Sequence, residues 1–183
     1  NRAVEQTKQI ILEKNVTTEN IDETAHDVGV GAVVFNELSN YRIKDYVFSW
    51  DKVLNFEGET GPYVQYTHAR ACSILRRAGE DTVMAAKKGF DTSWITGESA
   101  HHLIKLLYAL PEVIKEAGEK YEPSIVTRHI VDIAQGFNKF YHDEHILVED
   151  EKEKTAKVAL VLAVQTAIKN GLGLLGMKAP EKM

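Results

Sequence analysis

An all-α fold, a helical bundle, is what this 183-residue sequence predicts, and three observations carry that expectation. Val126, Ile130, Ile133, Ala134, Phe137 and Tyr141 fall at i, i+4, i+7, i+8, i+11 and i+15, one apolar stripe on a helical period. Residues 156–168 are apolar nearly all round, the pattern of a helix enclosed by others. Only residues 45–50 alternate as a strand would, Tyr46, Phe48 and Trp50 against Val47 and Ser49, too short and isolated a run for a sheet.

Taken in order, residues 3–13 read as a helix with Val4, Ile10 and Ile11 apolar among charges, ended by Lys14-Asn15. A second helix spans about 21–38. Val28, Ala32 and Phe35 form its core stripe, and Gly29 and Gly31 admit a close neighbour. Asp22 and Glu23 suit its positive N-terminal end. A third helix starts at Pro62, whose missing N–H would go unpaired there anyway, with Gly61 or Thr60 as cap, and ends near Gly79. Residues 80–97 form a polar connection with a marginal helix at 81–88. Leu103, Leu106, Leu107 and Leu110 line an amphipathic helix over 98–110, and Pro111 starts another, to about Ala117. Pro123 opens the helix that bears the long stripe. The last helix, 151–175, should be the buried central strut, its acidic start (Glu149 to Glu153) answering the helix dipole.

Length suits one domain, or one domain with a small appendage, and a real core. The formal net charge of −5 excludes a basic nucleic-acid coat, and no DNA partner is expected. RNA binding would have to use a local surface and stacking, with a shallow salt dependence. Cys72 is alone, so no internal disulfide forms, which suits a reducing cytoplasm. The longest apolar run, 158–164, is too short to span a bilayer, and no signal pattern opens the chain. It begins at Asn1 and enters a helix at once, which reads as part of a longer chain.

Residues 56–70 concentrate the chemistry. Gly58 and Gly61 give a turn its backbone freedom. The helix that follows places Tyr63, Tyr66 and Arg70 on one face, with Val64, Ala71 and Leu75 on another. Rings beside a planar cation can hold unstacked nucleotide bases. The same tyrosines could equally be half-buried packing residues with wet hydroxyls. Arg70, Arg76, Arg77, Lys87 and Lys88 form the best basic cluster, open to phosphate contact or simply solvated. The His142-Asp-Glu-His145 run lacks the third and fourth ligands of a zinc site and reads as a solvated helix end. Asp81, Ser99, His101 and His102 have no triad spacing, and there is no phosphate-cradling loop. No catalytic or metal site is expected.

The run Glu57-Gly-Glu-Thr-Gly-Pro-Tyr-Val-Gln-Tyr-Thr-His-Ala-Arg70 resembles the signature opening the anticodon-binding region of arginyl-tRNA synthetases, of class I. Upstream, Val28-Gly-Val-Gly-Ala-Val-Val-Phe-Asn-Glu-Leu-Ser39 and Lys44-Asp-Tyr-Val-Phe-Ser-Trp50 are similar to the segment following that family's catalytic domain. Downstream, Phe140-Tyr141 and Leu174-Leu-Gly-Met-Lys-Ala-Pro-Glu-Lys-Met183 resemble its last two helices and its chain end. The resemblance covers nearly the whole chain. It implies residues 1–55 as the end of a catalytic region and a linking segment, touching the inner side of the tRNA's L from Val28 to Trp50. It implies residues 56–183 as the helical anticodon-binding domain. Its partners would be tRNA(Arg) and the protein's own catalytic domain. The intact protein would attach arginine to tRNA using ATP with magnesium. This piece carries neither the His-x-Gly-His nor the Lys-Met-Ser-Lys-Ser type of motif and would need no cofactor. By position, Tyr63 and Tyr66, with the glycine loop of Gly58 and Gly61, inherit the approach to the splayed anticodon, and Met183 its pocket; Arg70 and Arg77, members of the basic cluster above, are the expected phosphate contacts. Where some members place a tryptophan, this chain has His145. A helical protein–protein docking module with no RNA role is the rival reading, and it would require an exposed apolar patch.

Overall fold

The computed structural model describes residues 2–13 and 20–183. They form α1 (Arg2–Glu13), α2 (Ile21–Ser39), α3 (Trp50–Val53), α4 (Gly61–Ala78), α5 (Glu80–Lys88), a 3-10 turn (Thr92–Trp94), α6 (Glu98–Lys120), α7 (Ser124–Asp143) and α8 (Glu151–Leu174). The fold is all-α, with no strand among the described residues. The expected end of the first helix at Lys14-Asn15 lies outside them.

Helix α8 is the central strut. It packs on α4, α5, α6 and α7, and Val158, Val161, Val164, Ile168 and Leu172 lose all contact with solvent. Asp150 caps its start, accepting from the N–H groups of Lys152 and Glu153. At Gly171 the backbone of α8 meets α7 so closely that an added Cβ would lie 2.5 Å from Ile130 Cγ2. The α7 stripe points into the same core, where Ile130, Ile133, Ala134, Phe137 and Phe140 are fully buried. The close neighbour of Gly29 is α1, whose Ala3 carbonyl oxygen would lie 2.9 Å from an added Cβ.

Four local expectations change. Residues 45–49 form no strand or helix. Their alternation comes from Phe48 packing edge-on to Trp50 at 4.8 Å and from the Tyr46 hydroxyl donating to Glu37, while Val47 is left 92% exposed. Pro111 does not divide a helix. Leu103, Leu110 and Ala117 continue one buried stripe through it, and Pro111 itself is on the solvent side, where the carbonyl it leaves unpaired can be hydrated. Helix α5 is well formed, because Ala86 is buried and α8 lies against it. Tyr141, placed by its spacing on the core stripe, is 41% exposed at the stripe's end.

Where residues 143–146 cross the start of α8, Lys157 is nearly buried between Glu144 (3.2 Å) and Glu153 (2.8 Å) and donates to the His145 carbonyl (3.0 Å). Burial alone would lower the Lys157 pKa, but hydrogen bonds to Glu153 and Glu144 outweigh it and raise it. The pair pins the loop carrying His145.

Candidate functional site

Helix α4 begins abruptly. Gly58 turns the preceding loop with φ 83°, a conformation that favours glycine. Thr60 caps the helix, its hydroxyl oxygen accepting from the Tyr63 N–H at 3.2 Å. Gly61 is buried, and an added Cβ would lie 2.8 Å from Phe35 Cβ. Gly58 is thus open to an approaching ligand, while the bareness of Gly61 serves contact between α2 and α4.

The two tyrosines of the signature separate. Tyr63 packs partly buried against the main core, and its hydroxyl accepts from Asn138 Nδ2 of α7 at 2.8 Å. Tyr66 is 37% exposed. The Arg70 guanidinium lies between two rings, 5.0 Å from the centroid of Tyr66 and 5.5 Å from that of Tyr141. It also donates to Asn138 Oδ1 at 2.5 Å, so a planar cation is held in one orientation from α7. Tyr63, Arg70, Thr67 and Asn138 form one hydrogen-bonded group, with Asn138 Nδ2 also donating to Thr67 at 3.2 Å.

Beside this group, Tyr66, Ala69, Arg70, Ser73 and Arg76 line an open cleft of about 410 Å³ whose opposite wall is Lys182 and Met183. Tyr66, Arg70 and Met183 therefore meet in one place. Arg77 is exposed on α4 next to Arg76 but does not line the cleft. Lys87 and Lys88 belong to α5. His142 pairs with Asp143 at 3.1 Å, and no group of three metal-ligating side chains is assembled among the described residues.

Tyr141, Asn138 and Lys182 were not marked by their spacing as site residues. Nor were Gln65 and His68, both fully buried on the inner side of α4. Gln65 Nε2 donates to the Asp27 and Lys178 carbonyls at 3.2 and 2.9 Å. His68 Nδ1 faces the Pro180 carbonyl at 2.9 Å, so it carries the proton, and Nε2 accepts from the Gln165 amide at 3.2 Å. Burial holds the His68 pKa below the ordinary histidine range, with Lys169 adding to it and the Pro180 carbonyl and Glu181 opposing it. Burial likewise raises the Cys72 thiol pKa, so it is not a poised nucleophile.

The depressed pKa makes stability depend on pH. In the unfolded chain His68 binds a proton near pH 6.5, whereas in the fold it stays neutral to lower pH. Its contribution is fully present above 6.5 and is lost as pH falls from there through the folded value. The thermal midpoint should drop between pH 7.5 and 5.5, and His68→Asn, which cannot protonate, should flatten that dependence. An equal pH slope in the variant would assign the titration to other groups.

Comparison with known proteins supplies the family. Residues 64–183 match the DALR anticodon binding domain family, and residues 1–50 match the family of class I (R) tRNA synthetase catalytic domains. The chain is 54% identical over 183 residues to an arginine–tRNA ligase of Halothermothrix orenii, covering all of this chain and 32% of that protein. It is 55% identical to that of Alkaliphilus metalliredigens, with the same coverage. The solved arginyl-tRNA synthetase of Thermus thermophilus superposes with a TM-score of 0.90 at 33% identity, over 100% of this chain and 31% of the other. The chain spans about a third of the length of these relatives.

Proposed function

The chain belongs to the DALR anticodon binding domain family, and from that membership we propose that the α4 cleft binds the anticodon loop of an arginine tRNA. The observation that carries the reading is the cleft itself: an exposed ring, an oriented guanidinium and a flexible apolar side chain converge at Tyr66, Arg70 and Met183. Loop bases can be turned out of their stack and held on such a surface, whereas the deep groove of the stem offers little to read. Tyr66 and Tyr141 supply the faces, Arg70 a cation between them, and Tyr63 supports the arrangement through Asn138. The loop at Gly58 approaches the bases, and Arg77 and Lys182 meet phosphates. With a net charge of −5 the affinity should decline only gently with salt.

For the whole protein we propose arginine–tRNA ligation in the cytoplasm, with ATP and magnesium handled outside these residues. No helix among the described residues is long and apolar enough to cross a membrane. Residues 41–48 expose Ile43 to 81% and Val47 to 92%, and the remainder of the catalytic domain is the partner proposed to cover them.

Fluorescence titration with the anticodon stem-loop of an arginine tRNA, beside a copy altered at the middle base, tests the reading. Saturable binding weakened in the altered loop is expected. Equal affinity for both would reduce the interaction to backbone contact, and binding of neither would remove the reading for this chain.

A further inference from the structure

We propose that Gln65 and His68, with Arg76, are positioning residues that hold residues 178–183 in place as a wall of the cleft and so set its affinity for the loop. The inference rests on the anticodon reading above. All three project from α4 and donate to backbone carbonyls of the same short segment. Gln65 reaches Lys178 at 2.9 Å, His68 reaches Pro180 at 2.9 Å, and both terminal nitrogens of Arg76 reach Glu181 at 3.2 Å. Carbonyl acceptors fix the path of a backbone whatever its side chains.

Besides these three contacts, Ala179 packs against the main core. Met177 is buried and its N–H closes onto the Leu172 carbonyl at 2.9 Å, but Lys178, Glu181 and Lys182 are exposed. Fully burying an amide and an imidazole costs free energy unless they are paired. Here much of their pairing is spent on this segment. Gln65 also ties it to the Asp27 carbonyl of α2, and Gln165 of α8 supports the His68 ring from behind. Two helices besides α4 thus fix where Lys182 and Met183 stand relative to Tyr66 and Arg70. Gln65 and His68 do not line the cleft, so their effect on a ligand passes through the segment.

A coupled measurement tests this. The chain has three methionines, Met84, Met177 and Met183, so the Met183 ε-methyl NMR signal reports the segment directly while Met84 on α5 reports the fold. In His68→Leu the Met183 signal should move to its free-chain position with Met84 unmoved. Stem-loop affinity should fall on the order of threefold to tenfold, the scale of one lost hydrogen bond. Met183→Ala should weaken binding similarly, and the double variant no more than His68→Leu alone, since the wall is already gone. His68→Asn, whose amide nitrogen can take the place of Nδ1, should restore both readouts. A Met183 signal unmoved in His68→Leu, or losses that multiply in the double variant, would overturn the proposal. Should His68→Leu shift Met84 as well, Gln65→Leu carries the same test. If the unaltered chain binds no stem-loop, the anticodon reading and the affinity claim fall together, and the methyl signal alone decides whether these residues hold the segment.

Discussion

Replacing Tyr66 with alanine is expected to weaken stem-loop binding by roughly tenfold to a hundredfold while leaving the fold in place. A base stacked on an aromatic ring is worth about 1–3 kcal/mol, and about 1.4 kcal/mol corresponds to each decade of affinity. The ring is 37% exposed and forms no part of the buried core, so its removal leaves no interior cavity. Arg70 loses one of its two ring partners but keeps Tyr141 at 5.5 Å and Asn138 at 2.5 Å. The thermal midpoint should therefore hardly move, as for other surface changes of about 0.5 kcal/mol or less. Tyr66→Phe keeps the ring face and should bind nearly as well as the unaltered chain. Titration of both variants beside thermal unfolding separates stacking from packing. An affinity unchanged in Tyr66→Ala would remove this ring from the interface.

The largest loss of stability is expected from Phe137→Ala. The ring is fully buried at the middle of the α7 stripe, among side chains of the main core. Truncating such a ring costs about 3–5 kcal/mol through lost transfer energy and the cavity left behind. Against a total of about 5–15 kcal/mol for a domain, that is a large share. At roughly 2–4 °C per kcal/mol for a chain of this size, the midpoint should fall by about 6–20 °C. Phe137 also stacks on Tyr141, ring centroids 6.4 Å apart at 27°, so one of the two rings beside Arg70 loses its backing too. A fall of only about 2 °C in thermal unfolding would mean that the interior closes around the gap.

The long-range architecture was legible where a periodic pattern had one meaning. The α7 stripe and the nearly all-round apolarity of residues 156–168 both marked buried helices, and both lie at the centre of the core. Periodicity says which residues share a face but not what covers it. Tyr63 and Tyr66 share a face of α4, yet Asn138 on α7 reaches only the first. Tyr141 continues the stripe arithmetically but lies at its end, where solvent and Arg70 replace the core. Pro111 reads locally as a boundary, and the buried positions on either side of it prevail. Gln65 and His68 gave no signal, since a polar pair in a helix ordinarily faces water. Their carbonyl partners at Lys178 and Pro180 lie more than a hundred positions away.

The central position of α8 has a consequence for how the chain is made. Residues 61–143 complete α4, α5, α6 and α7 before Glu151–Leu174, the element they all enclose, has been synthesised. At about 5–20 residues per second, roughly ten seconds pass between the end of α4 and the arrival of the strut. Throughout that interval the apolar faces meant for α8 have no native partner. A nascent chain in this state exposes aggregation-prone apolar surface, and its core closes only when α8 arrives. The wall formed by Lys182 and Met183 can be laid only after that, so the cleft forms later than the four helices packed around α8.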